Sequence, residues 1–184
     1  MKAPGDEIPE DGTEENLAWV NEMFPQLDFH QLLNEAPEEP EWLVEDMLLR
    51  GRNYAVVAAA KAGKSLLMLD LACALAAGRS ALGGAPQAPQ HVVYLDIENT
   101  NDDISERIRD LGYEAHEIQK HLHYLSFPAL AALDTPTGGW QVDSIARHHE
   151  ADLIIVDTLS RVVSGDENEA HTYQAFYRHS VLPL

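Results

Sequence analysis

Gly63-Lys64-Ser65, Glu98 and Asp157 are the residues whose types and spacing suggest chemistry. A Gly-Lys-Ser triplet that follows a short apolar run and opens an apolar helix is the pattern of a phosphate-binding loop. Backbone N–H groups of such a loop and of the helix N-terminus surround phosphate oxygens, the lysine reaches the β/γ oxygens, and the serine hydroxyl ligates magnesium. On this reading Ala59, Ala60, Lys61, Ala62, Gly63, Lys64, Ser65 and Leu66 line the nucleotide, with Lys64 also catalytic. Asp157 closes the run Asp152-Leu-Ile-Ile-Val-Asp157, the mark of a buried parallel strand that delivers a carboxylate to the sheet's C-terminal edge. There it is placed to hold magnesium, usually through water, opposite Ser65. Glu98 ends another such strand and is placed to polarise the water that attacks the γ-phosphate. Asp96, on the same side of that strand, is a weaker rival for the task.

Each feature has a bland alternative. The triplet can be a chance string in an ordinary strand-turn-helix, Asp157 can cap the next turn, and Glu98 can be a solvated strand end. All three in one chain would be a joint coincidence, so the expectation is nucleotide binding, with ATP and Mg2+ as cofactors. One departure stands out: the first glycine of the usual loop pattern is Ala58, which requires a β-compatible backbone there.

The elements that must position these residues follow from the hydrophobic pattern. Tyr54 to Ala58 reads as a buried strand, and Leu67, Leu71 and Leu75 mark a helix that starts at Lys64 and stops at Gly78. His91–Ile97 reads as a strand ending in Glu98, and Asn101-Asp-Asp103 as the cap of a helix carrying Ile104, Ile108 and Leu111. Leu122–Phe127 is a short strand, 128–139 irregular, and Val142–His149 a helix before the Asp157 strand. A last helix covers about Glu169–His179. Alternating strands and helices predict an α/β sandwich with a mostly parallel sheet.

Ahead of this lies an acidic leader. Residues 1–46 hold 14 Asp/Glu against Lys2 alone, while the whole chain of 184 residues carries a formal charge of −19. Residues 1–13 read as disordered, followed by two short helices bearing Leu17, Val20 and Phe24, then Phe29, Leu32 and Leu33, and a stiff Pro37–Pro40 linker. The expected division is a leader over 1–40 and a globular domain over 41–184. The leader can dock on a partner or simply solvate the chain.

An acidic surface repels nucleic acid at long range, so any DNA contact needs a local basic patch, and two of the four lysines lie in the phosphate loop. A single cysteine, Cys73, suits a small buried core residue in a reducing cytosol. Met1–Glu10 is acidic and proline-bearing, unlike a signal peptide, and the apolar stretch Leu66–Ala77 is too short to span a bilayer. The expected location is cytoplasmic, with no membrane partner. His121-x-His123 and His148-His149 hint at a metal, but no further ligand completes a set at ligand spacing.

Several blocks, in order over roughly residues 41–184, resemble RecA-type ATPases of the RepA group. They are Trp42-Leu-Val, Lys61-Ala-Gly-Lys-Ser65, Tyr94-Leu-Asp-Ile-Glu-Asn99, Arg107-Ile-Arg-Asp-Leu-Gly112, Ile155-Val-Asp-Thr-Leu-Ser-Arg161 and Gly165-Asp-Glu-Asn168. Members include plasmid hexameric replicative helicases and the ATPase parts of phage and mobile-element replication proteins. The resemblance implies a RecA-like P-loop NTPase three-layer sandwich, Glu98 as catalytic glutamate and Asp157 as magnesium aspartate. It also implies that Arg161–Asn168 lies near the channel of a hexameric ring through which single-stranded DNA passes, in company with other replication proteins. Relative to that family the chain stops early, at Pro183-Leu184, so two C-terminal strands, a sensor and basic residues are expected to be missing. The leading expectation is an ATP-hydrolysing module of DNA replication or recombination. A nucleotide-dependent regulatory or binding protein with little turnover is the alternative. A small-molecule kinase is disfavoured, since no arginine-rich lid is visible.

Overall fold

The computed structural model describes residues 12–35, 39–59, 61–166 and 169–184. The chain divides into two compact units, Met1–Pro40 and Glu41–Leu184. The first carries α1 (Glu14–Met23) and α2 (Phe29–Asn34). Thr13 caps α1 by accepting from Asn16 N, and Asp28 caps α2 by accepting from His30 N and Gln31 N. Their apolar residues Leu17, Phe24, Phe29, Leu32 and Leu33 are all exposed. The expected disordered start falls largely on residues 1–11, and part of the proline linker on 36–38, outside the described residues.

The second unit opens with an antiparallel pair, β1 (Trp42–Val44) and β2 (Leu48–Leu49). Next come α3 (Lys64–Ala77), β3 (Val92–Asp96), α4 (Asn101–Asp110), α5 (Ala115–Ile118), β4 (Leu122–Ser126) and α6 (Pro136–His148). β5 (Leu153–Asp157), α7 (Leu159–Val162) and α8 (Ala170–Phe176) complete it, with a π-helical turn over Tyr177–Val181. The strands β4-β3-β5 form a parallel sheet with β3 in the centre. Burial follows the alternation of β3. Val92 and Tyr94 join a core with α3 and with Tyr113 and Ile118, whereas Val93 and Leu95 join one with Leu133, Val142 and Val162. Both faces of the sheet are thus covered, as a parallel sheet requires.

α3 is the most buried helix on its face, with Leu69, Leu71, Ala72, Cys73, Ala74, Leu75 and Ala76 all inside. It stops because Gly78 turns left-handed (φ 68°), its N–H reaching Leu75 O and that of Arg79 reaching Ala74 O. A side chain there would also meet Gln87 O at 2.8 Å, so two constraints select glycine. Burial, with Asp70 adding to it, pushes the Cys73 thiol up to about 12, which leaves it inert.

Three expectations change. Tyr54–Ala58 is not a strand and is not buried: Val57 is 90% exposed and Tyr54 and Val56 about half. Its apolar pattern suits a strand, but no described residue pairs with its backbone as a sheet neighbour, and pairing is what converts that pattern into a strand. The second change is α6, which begins at Pro136 and takes in Gly138 and Gly139. Thr135 accepts from Gly138 N as the cap and Pro136 occupies the first turn, two start signals that outweigh the glycines. The third is the end of the chain, where α8 yields at Tyr177 to the wider turn.

Candidate nucleotide site

The parallel register sets Ser126, Asp96 and Asp157 in one row at the C-terminal ends of β4, β3 and β5. The next row on the same face is Tyr124, Tyr94 and Ile155. Its two rings stack, with centroids 4.7 Å apart and planes 12° from parallel. Each phenol serves one carboxylate: Tyr94 OH donates to Asp157 Oδ2 at 2.8 Å, and Tyr124 OH donates to Asp96 Oδ2. Burial first, then the neighbouring carboxylates, raises both phenols far above the ordinary tyrosine range, so they remain neutral donors.

The two aspartates are not equivalent. Asp96, completely buried, also accepts from Glu98 N (2.8 Å), Asn99 N (3.1 Å) and the Asn99 amide. Burial alone would raise its carboxyl, but these donors outweigh burial and hold it below the ordinary range. Arg107 braces the turn by donating to Asn99 Oδ1 at 2.7 Å. Asp157 has a single side-chain donor among the described residues, Tyr94, and its Oδ1 has none. Glu98 sits just past β3, where its Oε1 lies 3.5 Å from Arg161 Nε on α7.

The loop before α3 turns through left-handed Lys61 (φ 62°) and Gly63 (φ 87°). Ala58 is not among the residues with positive φ, so the loop turns without the usual first glycine. Ala62 N donates to Ala59 O at 3.2 Å, and Leu67 N to Gly63 O at 3.0 Å. Lys64 Nζ donates to Ala58 O (2.8 Å) and Ala59 O (3.2 Å). Ser65 is half-buried, with no hydrogen bond from its hydroxyl to a described residue, and Leu66 is exposed. Ala60 lies outside the described residues.

The sites named from the sequence therefore fall into two groups. Lys61, Ala62, Gly63, Lys64, Ser65 and Leu66 sit at the loop and helix start, and Asp157 and Glu98 at the sheet edge. No hydrogen bond or ion pair joins the two among the described residues. Donor chemistry fits a hard cation: the Ser65 hydroxyl and Asp157 Oδ1 are oxygens with no described partner. Sequence reading missed the tyrosines and Asn99. Tyr94 and Asp96 are two apart and share one face of a strand, but both tyrosine bonds run between strands, so local spacing does not announce them.

A loop that turns into a helix at Gly63-Lys64-Ser65 and two carboxylates at a parallel sheet's C-terminal edge have a counterpart among known families. A family model described as "AAA domain" matches residues 20–180. The chain belongs to the AAA domain family. It is a P-loop NTPase domain, and its match runs from the leader helix α1 through the final turn. None of the curated proteins matches this AAA domain.

At the opposite, N-terminal edge of the sheet five histidines gather. His91 Nδ1 lies 3.1 Å from His123 Nε2, His149 stacks on His123 at 4.1 Å, and His121 and His148 meet His91 and His149 edge-on. No group of three or more His, Cys, Asp or Glu with metal-holding geometry occurs among the described residues. No described helix is long and apolar enough to cross a membrane.

Proposed function

We propose that this AAA domain binds Mg-ATP and hydrolyses it as a RecA/RepA-type module of DNA replication or recombination. The observation that carries the reading is the asymmetry of the two strand-end aspartates. Asp96 spends its lone pairs on the turn that presents Glu98, whereas Asp157 keeps an oxygen for a cation. Lys64 binds the β/γ-phosphates after exchanging its two loop carbonyls for them, the loop N–H groups from Ala59 to Leu66 cradle the same oxygens, and Ser65 and Asp157 hold magnesium. Magnesium, when bound, neutralises phosphate charge. Glu98 takes a proton from the attacking water, a role that needs only its carboxylate free of Arg161.

The replication setting rests on the RepA-like sequence blocks, as do single-stranded DNA as a partner and a hexameric ring. A nucleotide-dependent binding protein with little turnover is the second reading, and the Glu98–Arg161 pair favours it, because a carboxylate held by a cation is a poorer base. Steady-state ATP turnover with and without single-stranded DNA, paired with mass in solution, separates the two. DNA-stimulated hydrolysis by a discrete ring supports the motor. Tight binding without turnover supports the switch. The absence of any nucleotide binding would remove both.

A further inference from the structure

The geometry points to Tyr94 as a positioning residue that fixes the Asp157 carboxylate for a divalent cation. The inference rests on the Mg-nucleotide reading above. Tyr94 is 1% exposed, and a hydroxyl at that depth is retained at a cost unless it is bonded. Its hydrogen bond goes to Asp157 Oδ2, at 2.8 Å. With one oxygen engaged from within the core, the carboxylate cannot rotate about its last bond without breaking that contact, and Oδ1 is left facing away from the donor. Stacking on Tyr124 locks the Tyr94 ring in turn, and Tyr124 is anchored by its own bond to Asp96. The donor therefore sits on a rigid central strand, not on a loop. Groups that orient a metal-binding carboxylate from behind commonly alter metal affinity by about 10- to 100-fold when removed.

Tyr94→Phe deletes the hydroxyl and keeps the ring. The measurement is binding of a fluorescent ATP analogue by the full chain, titrated with MgCl2, beside binding in EDTA. The expected result is a rise of about tenfold or more in the magnesium concentration for half-saturation, with affinity in EDTA unchanged. Tyr113→Phe is the control, because it removes a comparable bond, to Asp70 in mid-α3, at 2.9 Å. A purely structural role for Tyr94 would lower the melting temperature and leave half-saturation where Tyr113→Phe leaves it, which overturns the inference while the nucleotide reading stands. In an Asp157→Asn background Tyr94→Phe should change half-saturation no further, and an undiminished effect there also overturns it. Should Tyr94→Phe not fold, the wild-type tyrosine difference spectrum on adding magnesium to the nucleotide complex decides. A signal that Asp157→Asn abolishes and Tyr113→Phe retains is expected, and no signal overturns the inference. Wild type that binds no nucleotide with magnesium would sink the nucleotide reading and this inference together.

Discussion

Arg161 Nε stands 3.5 Å from Glu98 Oε1, so the acid that follows the central strand is met by the first arginine after the Asp157 strand. Both side chains are substantially exposed, and a pair in that setting is weak and readily exchanged. The pairing makes Arg161 a natural counter-charge for Glu98. It also gives nucleotide binding something specific to displace.

Glu98→Gln should leave nucleotide affinity within about twofold and lower turnover by about 10²-fold or more, because the amide keeps the shape but cannot accept the proton. Asp96→Asn should behave differently. It replaces an acceptor for several donors and thus loosens the Glu98 turn, so the melting temperature falls along with the rate. If Asp96→Asn kept wild-type stability while losing turnover, Asp96 and not Glu98 would be the base.

Lys64→Ala removes an ammonium that, among the described residues, bonds the Ala58 and Ala59 carbonyls of an exposed loop. Stability should shift by no more than about 0.5 kcal/mol. Calorimetric affinity for Mg-ATP should fall tenfold or more. Unchanged affinity would end the phosphate-loop assignment.

The histidine cluster sets a pH dependence whose sign is fixed. Burial first, then mutual repulsion among the rings, lowers the titration of His121, His123 and His149 below the ordinary 6.5. The unfolded chain therefore binds more protons than the native one as pH falls below about 7, and stability declines there. Each such ring adds up to about 1.4 kcal/mol per pH unit of slope at its steepest. Asp152, beside His91, and Lys120 modulate the effect in opposite directions for His121. Melting temperatures between pH 7.5 and 5.5 should fall steadily, and His123→Gln should flatten the curve. A wild-type curve that is flat, or that rises toward pH 5.5, contradicts this account.

Gly139→Ala tests the packing of α6. A Cβ there would lie 1.8 Å from His179 O, so the terminal turn must move. A loss of about 1–3 kcal/mol or more is expected in denaturant unfolding, in contrast to the usual small gain from Gly→Ala in a helix.

Much of the fold is legible in the sequence. The α3 start at Lys64 and its stop at Gly78 follow from local rules, since capping and helical periodicity act within a few residues. β3, β4 and β5 were visible as apolar runs of strand length. Tyr54–Ala58 was misread because strand formation depends on a neighbour, and neighbours are not local. Gly138-Gly139 looked like a loop because the close approach of the 179–180 backbone, which favours glycine there, comes from forty residues further on. The tyrosine support of Asp96 and Asp157 was hidden for the same reason: it depends on which strands adjoin, and on their register.

The stretch from Arg52 to Ala59, outside any helix or strand and open to water, is also a chemically vulnerable part of the described chain. Its amides donate to no described backbone carbonyl, and Arg50, Arg52 and Lys61 offer tryptic sites at either end. Brief digestion should nick the protein there and leave β3–β5 intact, and deuterium should enter these amides before those of the sheet. A ligand that engages the loop would be read as delayed cutting, which makes a gel and a protease a simple assay for occupancy.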